Sequence, residues 1–175
     1  NNNTNKINAN VEHYLTQMPS RDDFSLRYLH RTSTRRFTSP REKQKSIPMI
    51  RFNGLIKLEG EEELKFLRNI GIDSGASACF VNKRTLKRLR ISTSRLDSSI
   101  LLNLANNTKD EVNEYVELQL KLTHENNDSH RFLSVFCLAI DMDERTDMII
   151  GMSFLEEFNV DIHPRLRAIS IPKEE

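Results

Sequence analysis

Tryptophan is absent from this chain, and cysteine, glycine and proline are scarce, at two, five and five in 175 residues. So little glycine and proline excludes collagen-like and low-complexity classes. Two cysteines cannot build a disulfide framework. Cys79 and Cys137 both lie in apolar runs and read as reduced packing residues, with a buried pair as the alternative. No apolar run approaches the ~20 residues that span a bilayer, and no signal peptide opens the sequence, so no membrane partner is expected. The five histidines lack metal-ligand spacing, since His124 and His130 share one loop with no cysteine nearby. There is no Gly-rich phosphate loop and no Gly-x-Ser-x-Gly elbow. No metal and no cofactor is called for.

What is present suffices for one domain. The chain is 37% hydrophobic and 29% charged, enough for a real core with some slack. Its net charge of +1 hides an uneven distribution. Residues 1–51 hold ten Lys/Arg against four Asp/Glu, and residues 97–175 hold seven against sixteen. A basic front and an acidic back suggest two regions with different jobs. Residues 1–47 read as a basic polar leader or linker, disordered apart from one amphipathic helical contact around Val11, Tyr14, Leu15 and Met18. Its two readings are a solvated linker and a weak nucleic-acid contact through phosphate charge. The chain begins at Asn1, without an initiator Met, and reads either as a recombinantly trimmed chain or as a piece cut from something longer.

Order is expected over residues 48–175, almost all of it as strands. Met49–Leu58 reads as a strand or as a hairpin about the turn dipeptide Asn53-Gly54. Asn82 can cap a short helix over Lys83–Arg90, with Leu86 and Leu89 inward and a basic outer face. Ile100–Ala105 is a strand, and Val116–Leu122 alternates apolar and polar as a half-buried strand does. Arg131–Ile140 reads as a buried strand, Asp141–Asp147 as an acidic turn, Met148–Gly151 as a short strand, and Met152–Phe158 as a helix. Val160–Ile162 and Ala168–Ile171 close the chain about a turn at Pro164. Many short strands with one or two short helices predict a closed or sandwiched all-β domain.

One stretch is chemically unusual. In Ile70-Gly71-Ile72-Asp73-Ser74-Gly75-Ala76 an apolar run delivers one carboxylate into a tight Ser-Gly turn. Strand interiors disfavour Asp, and a carboxylate among apolar residues loses hydration unless it is hydrogen-bonded or paired. About 75 residues later Ile149-Ile150-Gly151 forms a second apolar segment closed by Gly, again followed by a helix. Between them lies a strand–turn–strand unit, Leu101–Leu122.

Taken in this order, the three blocks resemble the retropepsins, the retroviral-type aspartic proteases, and in particular those of Gypsy-type LTR retrotransposons. "IDSGASACFVNKRTL" is similar to their active-site strand, "LLNLANNTKDEVNEYVELQL" to their flap hairpin, and "MIIGMSFLEEFNVDIH" to their Ile-Ile-Gly segment and C-terminal helix. The resemblance spans residues 49–172, with one departure: Asn106-Asn107 stands where the family often has Gly in the flap turn. It implies a closed β-barrel lobe with a flap and one or two short helices, assembling as a homodimer. It further implies Asp73, Ser74 and Gly75 as catalytic residues. Ala76, Leu104, Ala105, Asn106, Asn107, Thr108, Ile149 and Ile150 would bind an extended polypeptide. Met49–Leu58 and Ala168–Ile171, as outer strands, would form the dimer interface. Processing of a Gag-Pol-type polyprotein, in the cytoplasm or within virus-like particles, is implied with it.

Peptide hydrolysis of this kind needs two carboxylates around one water, one to accept a proton and one to donate. The sequence contains Asp-Ser-Gly once. The second carboxylate would therefore come from another copy of the chain. The alternatives are an Asx turn at Asp73 with a purely structural role, and an inactive module of the same fold that dimerises or binds peptides, its basic leader contacting nucleic acid.

Overall fold

The alternation at Val116–Leu122 is the signature of a strand with one face in a core, and the structure extends that strand to Lys109–Leu122. A computed structural model describes residues 11–15, 49–103, 109–122 and 131–173. Its strands are β1 (Val11–Leu15), β2 (Ile50–Lys57), β3 (Lys65–Ile72), β4 (Cys79–Asn82), β5 (Ser94–Asn103), β6 (Lys109–Leu122), β7 (Leu133–Ile140), β8 (Met148–Ile150), β9 (Asp161–His163) and β10 (Ala168–Pro172). Two helices, α1 (Lys83–Arg88) and α2 (Met152–Glu157), and a 3-10 turn at Pro164–Leu166 complete it.

Seven strands run in the order β2-β3-β8-β4-β7-β6-β5, and a further pairing of β2 with β6 closes six of them into a barrel. The closure runs from Gly54↔Leu122 to Lys57↔Gln119. Closure removes the unpaired edges that an open sheet would present. The expected all-β class with a closed barrel and few short helices is what the chain adopts. Its interior is filled by Phe52, Ile56, Leu67, Ile70, Val81, Leu118, Leu120, Met148 and Ile150, each at most 1% exposed.

Local sequence explains the punctuation. Asn82 caps α1, its Oδ1 accepting the Arg84 N–H at 3.1 Å. Its side-chain amide also donates to the carbonyl oxygens of Met142, Asp143 and Thr146. Leu86 is the buried anchor of α1, as its spacing predicts. In β3, Asn69 takes a left-handed φ of 52°, a conformation that Asn tolerates better than most residues. The kink leaves Arg68 and Asn69 both exposed, and the three residues after it, Ile70, Gly71 and Ile72, are buried up to Asp73.

Two expectations need correction, and one alternative is decided. Of the two readings of Met49–Leu58 the strand holds and the hairpin does not: β2 runs straight through Asn53-Gly54, which carries a register shift between Phe52 and Gly54. A Cβ on Gly54 would lie 2.9 Å from both Ile70 Cδ1 and the Lys121 carbonyl oxygen, so this glycine serves close approach rather than a turn. Val11–Leu15 is a strand paired with β10, not a helical contact; Met18 lies outside the described residues. Finally, neither proposed interface strand is an outer one. β2 is part of the barrel wall, and β10 is the middle strand of a separate sheet ordered β1-β10-β9.

Candidate active site

β3 ends at Ile72 and β8 ends at Ile150, and the two run parallel in register, Ile70↔Met148, Gly71↔Ile149 and Ile72↔Ile150. The ladder continues one step past the strand, where the Asp73 N–H donates to the Ile150 carbonyl at 2.9 Å. Asp73 is thereby fixed at the backbone as the chain leaves the barrel. The turn that follows closes with the Ala76 N–H donating to the Asp73 carbonyl at 3.2 Å. Within it the Gly75 N–H donates to Asp73 Oδ1 at 2.9 Å, which orients the carboxylate. Asp73 is half-buried, and Ser74 and Gly75 are exposed. The Asp73 carboxylate is thus partly exposed on a backbone held by hydrogen bonds on both sides.

The turn is clamped from below. The Met152 N–H donates to the Ala76 carbonyl at 2.7 Å and the Ser153 N–H to the Ser77 carbonyl at 3.1 Å. These two N–H groups open α2, where no intrahelical partner exists for them. The first turn of α2 is therefore bonded to the loop carrying Asp73. The Gly151 N–H donates to Cys79 Sγ at 3.4 Å, and Cys79 Sγ lies 3.6 Å from Ser153 Oγ. Cys79 stands opposite Cys137 in the parallel β4–β7 pair. Both thiols are free and buried. Burial first, and then the neighbouring Cys79, push the Cys137 thiol well above its ordinary value.

Asp73, Ser74, Gly75, Ala76, Ile149 and Ile150 are brought to one end of the barrel. Ile150 is 0% exposed and belongs to the core, so it holds Asp73 from behind, whereas Ile149 is half-buried. Leu104, Ala105, Asn106, Asn107 and Thr108 lie outside the described residues. The strands on either side of them pair antiparallel up to Asn103↔Lys109, so they connect the two arms of a hairpin. The carbonyls of Ala76 and Ser77 were not singled out by sequence reasoning, and Cys79 was read as a packing residue alone; the trace of this contact was the glycine at 151, which such a close approach requires.

A polar groove of about 410 Å³ lies elsewhere, between Phe66, Arg68 and Asn69 of β3, Arg88 at the end of α1, and the turn at residues 144–147. None of its lining comes from residues 73–76. Among the described residues no group of three or more His, Cys, Asp or Glu side chains could hold a metal ion.

Comparison with known proteins bears on this geometry. Among solved structures, the chain is similar to the crystal structure of the retroviral protease-like domain of Ddi1 from Leishmania major, at 18% identity and a TM-score of 0.45, covering 72% of this chain and 90% of that one. A comparison with curated proteins returned no match. The family model described as aspartyl protease matches residues 56–154, a span that contains the Asp73 turn, α1, the β5–β6 hairpin and Gly151. That span exceeds half of the 175 residues, and the chain belongs to the aspartyl protease family.

Proposed function

We propose that this chain is an aspartic endopeptidase that works as a homodimer, with Asp73 from each of two copies around one water. The observation that carries the reading is the setting of Asp73. Its backbone is locked to Ile150, its carboxylate is oriented by the Gly75 N–H, and it stands half-exposed at the end of the barrel. A purely structural Asx turn would not need the second clamp from α2.

In the proposed reaction one carboxylate accepts a proton from the water while the other, protonated, donates to the carbonyl oxygen of the scissile bond. The oxygen of the water forms the new C–O bond. The amine leaves with a proton as the C–N bond breaks. Carboxylates that share a site cannot both ionise easily, which keeps one proton between them. Ser74 would hydrogen-bond across the dimer base and hold the two turns in register. Ala76 and Ile149 would line the cleft, and residues 104–108 would close over an extended peptide held by main-chain hydrogen bonds. The likeness to LTR-retrotransposon proteases supports a polyprotein as the substrate. Among the described residues no helix is long and apolar enough to cross a membrane.

The test uses polyprotein fragments incubated with the chain at mildly acidic pH, with and without pepstatin. The reading expects cleavage that pepstatin blocks and that Asp73→Asn lowers by about 10³-fold, as loss of general acid–base chemistry does. If the Asn variant cleaves as fast as the parent, the reading is wrong.

A further inference from the structure

The groove between β3, the end of α1 and the turn at residues 144–147 takes no part in the chemistry above. Its volume of about 410 Å³ is within the range of ligand sites. Successive strand residues normally face opposite sides. Arg68 and Asn69 nevertheless are both exposed, at the point where Asn69 takes its left-handed φ of 52°. Both line the groove, together with Phe66, an aromatic side chain left 46% exposed.

The charges in the groove do not cancel. Arg68, Arg88 and Arg145 line it against two carboxylates, Glu144 and Asp147. Both carboxylates are already engaged. Glu144 pairs with Arg84. Asp147 accepts the Thr85 hydroxyl and the Arg68 N–H, and Arg88 lies 3.4 Å from it. Among the described residues no carboxylate lies within ion-pair distance of the guanidiniums of Arg68 and Arg145. That of Arg68 sits 5.7 Å from the centroid of the Phe66 ring. Two forks of N–H donors are thus held beside an aromatic surface with no acid to bind.

We propose that this groove is an exosite for an acidic segment of a polypeptide. Arg68 and Arg145 take its carboxylates, and Phe66 takes an apolar residue beside them. The proposal rests on the peptidase reading above, in that the docked segment belongs to the substrate. A guanidinium presents its donors in a planar fork that matches a carboxylate. A nucleic-acid strand fits less well. It would lay successive phosphates along the groove, where the Glu144 side chain stands 77% exposed. A peptide brings one or two carboxylates and can set an apolar or basic residue against Glu144.

The frame of the barrel fixes the distance from this groove to Asp73. The Arg68 N–H is held by Asp147 and the Asp73 N–H by Ile150, at the two ends of the β3–β8 pair. Five residue steps separate Arg68 from Asp73, or about 16 Å of extended chain. A substrate that fills both places carries its acidic stretch at least about five residues from the scissile bond. Docking that stretch raises the local concentration of the bond to be cut. It adds binding that is equal in the ground and transition states, so KM falls while kcat stays.

The experiment measures binding and cleavage with the full chain. A fluorescein-labelled Glu-rich peptide containing one Leu is titrated by anisotropy against three chains. These are the parent, Arg68→Ala/Arg145→Ala, and the charge-matched control Lys83→Ala/Arg95→Ala. All four substituted residues are exposed. The parent is expected to bind, the groove variant about tenfold more weakly, and the control like the parent. No binding by the parent, or equal weakening in both variants, overturns the proposal. So does displacement of the peptide by a single-stranded RNA oligonucleotide at lower concentration than by unlabelled peptide. Cleavage is then compared for one peptide substrate with and without the acidic stretch. The stretch should lower KM about tenfold in the parent, leave kcat unchanged, and have no effect in the groove variant. Cleavage with one KM for both substrates overturns the exosite and leaves the protease reading standing. Binding lost in the groove variant, with no cleavage by any chain, sustains the groove as a peptide site and sinks the protease reading.

Discussion

A Cβ placed on Gly151 would lie 2.1 Å from the carbonyl oxygen of Ala78. No side chain fits there, and the obstruction is backbone, which cannot swing aside as a flexible side chain can. The same contact lets the first N–H groups of α2 reach the carbonyls of Ala76 and Ser77. Gly151→Ala should therefore cost about 3 kcal/mol or more, at the top of the range for overpacking. A urea titration measures it. A midpoint within error of the parent would show that the approach of α2 to the Asp73 turn is adjustable.

Asp147 is a carboxylate inside the protein, 5% exposed. It accepts the Arg68 N–H at 2.7 Å, the Thr85 hydroxyl at 2.6 Å and the Arg88 guanidinium at 3.4 Å. It thereby joins β3, α1 and the start of β8. Asp147→Ala strands the buried Thr85 hydroxyl and the Arg68 N–H, with an expected loss of about 3–4 kcal/mol. Thr85→Val removes one donor and should cost about 1–2 kcal/mol. The two share a bond, so the double variant should lose less than the sum, which a double-mutant cycle by urea unfolding reports.

The Cys137 thiol, pushed up by burial and then by Cys79, keeps its proton in the folded chain at pH values where an unfolded chain has released it. The unfolded state then binds fewer protons than the native one, so stability falls as pH rises. The thiol's contribution is complete below its ordinary value of 9.0 and declines from there toward the folded value. Stability of Cys137→Ala, measured from pH 7 to 11, should decline less steeply above pH 9 than that of the parent. The parent thiol should also resist a thiol-reactive dye at pH 8 until denaturant is added.

How much of this was legible in the sequence follows from where each signal lives. The Asp73 turn was, because an Asp between apolar runs and a Gly is a local anomaly that needs no partner to be noticed. So was β6, whose alternation is set by one buried face. The path of β2 was left open between strand and hairpin because Asn53-Gly54 is a turn signal only when nothing else crowds it, and here Ile70 and Lys121 press on Gly54 from both sides, which decides for the strand. Val11–Leu15 was misread because five residues of mixed polarity fit either period, and the choice was made by pairing with β10, more than 150 positions away. Asp147 looked like part of a solvated acidic turn. Its burial depends on Thr85 and Arg68, which no local pattern links to it.

β6 touches three partners in succession. Lys109–Tyr115 runs along β5, Tyr115–Leu120 along β7, and Gln119–Leu122 along β2. It is a beam clamped at one end on both sides and carried outward at the other by a single companion. At about 3.4 Å per residue, the six steps from Tyr115 to Lys109 project about 20 Å beyond the clamp. The overhang of the beam sets how far the two paired arms of the hairpin reach. Adding or removing one pair of residues from each arm would change that reach by about 7 Å while keeping every side chain on its own face. The reach of the hairpin is in this sense a length of strand, adjustable in whole steps.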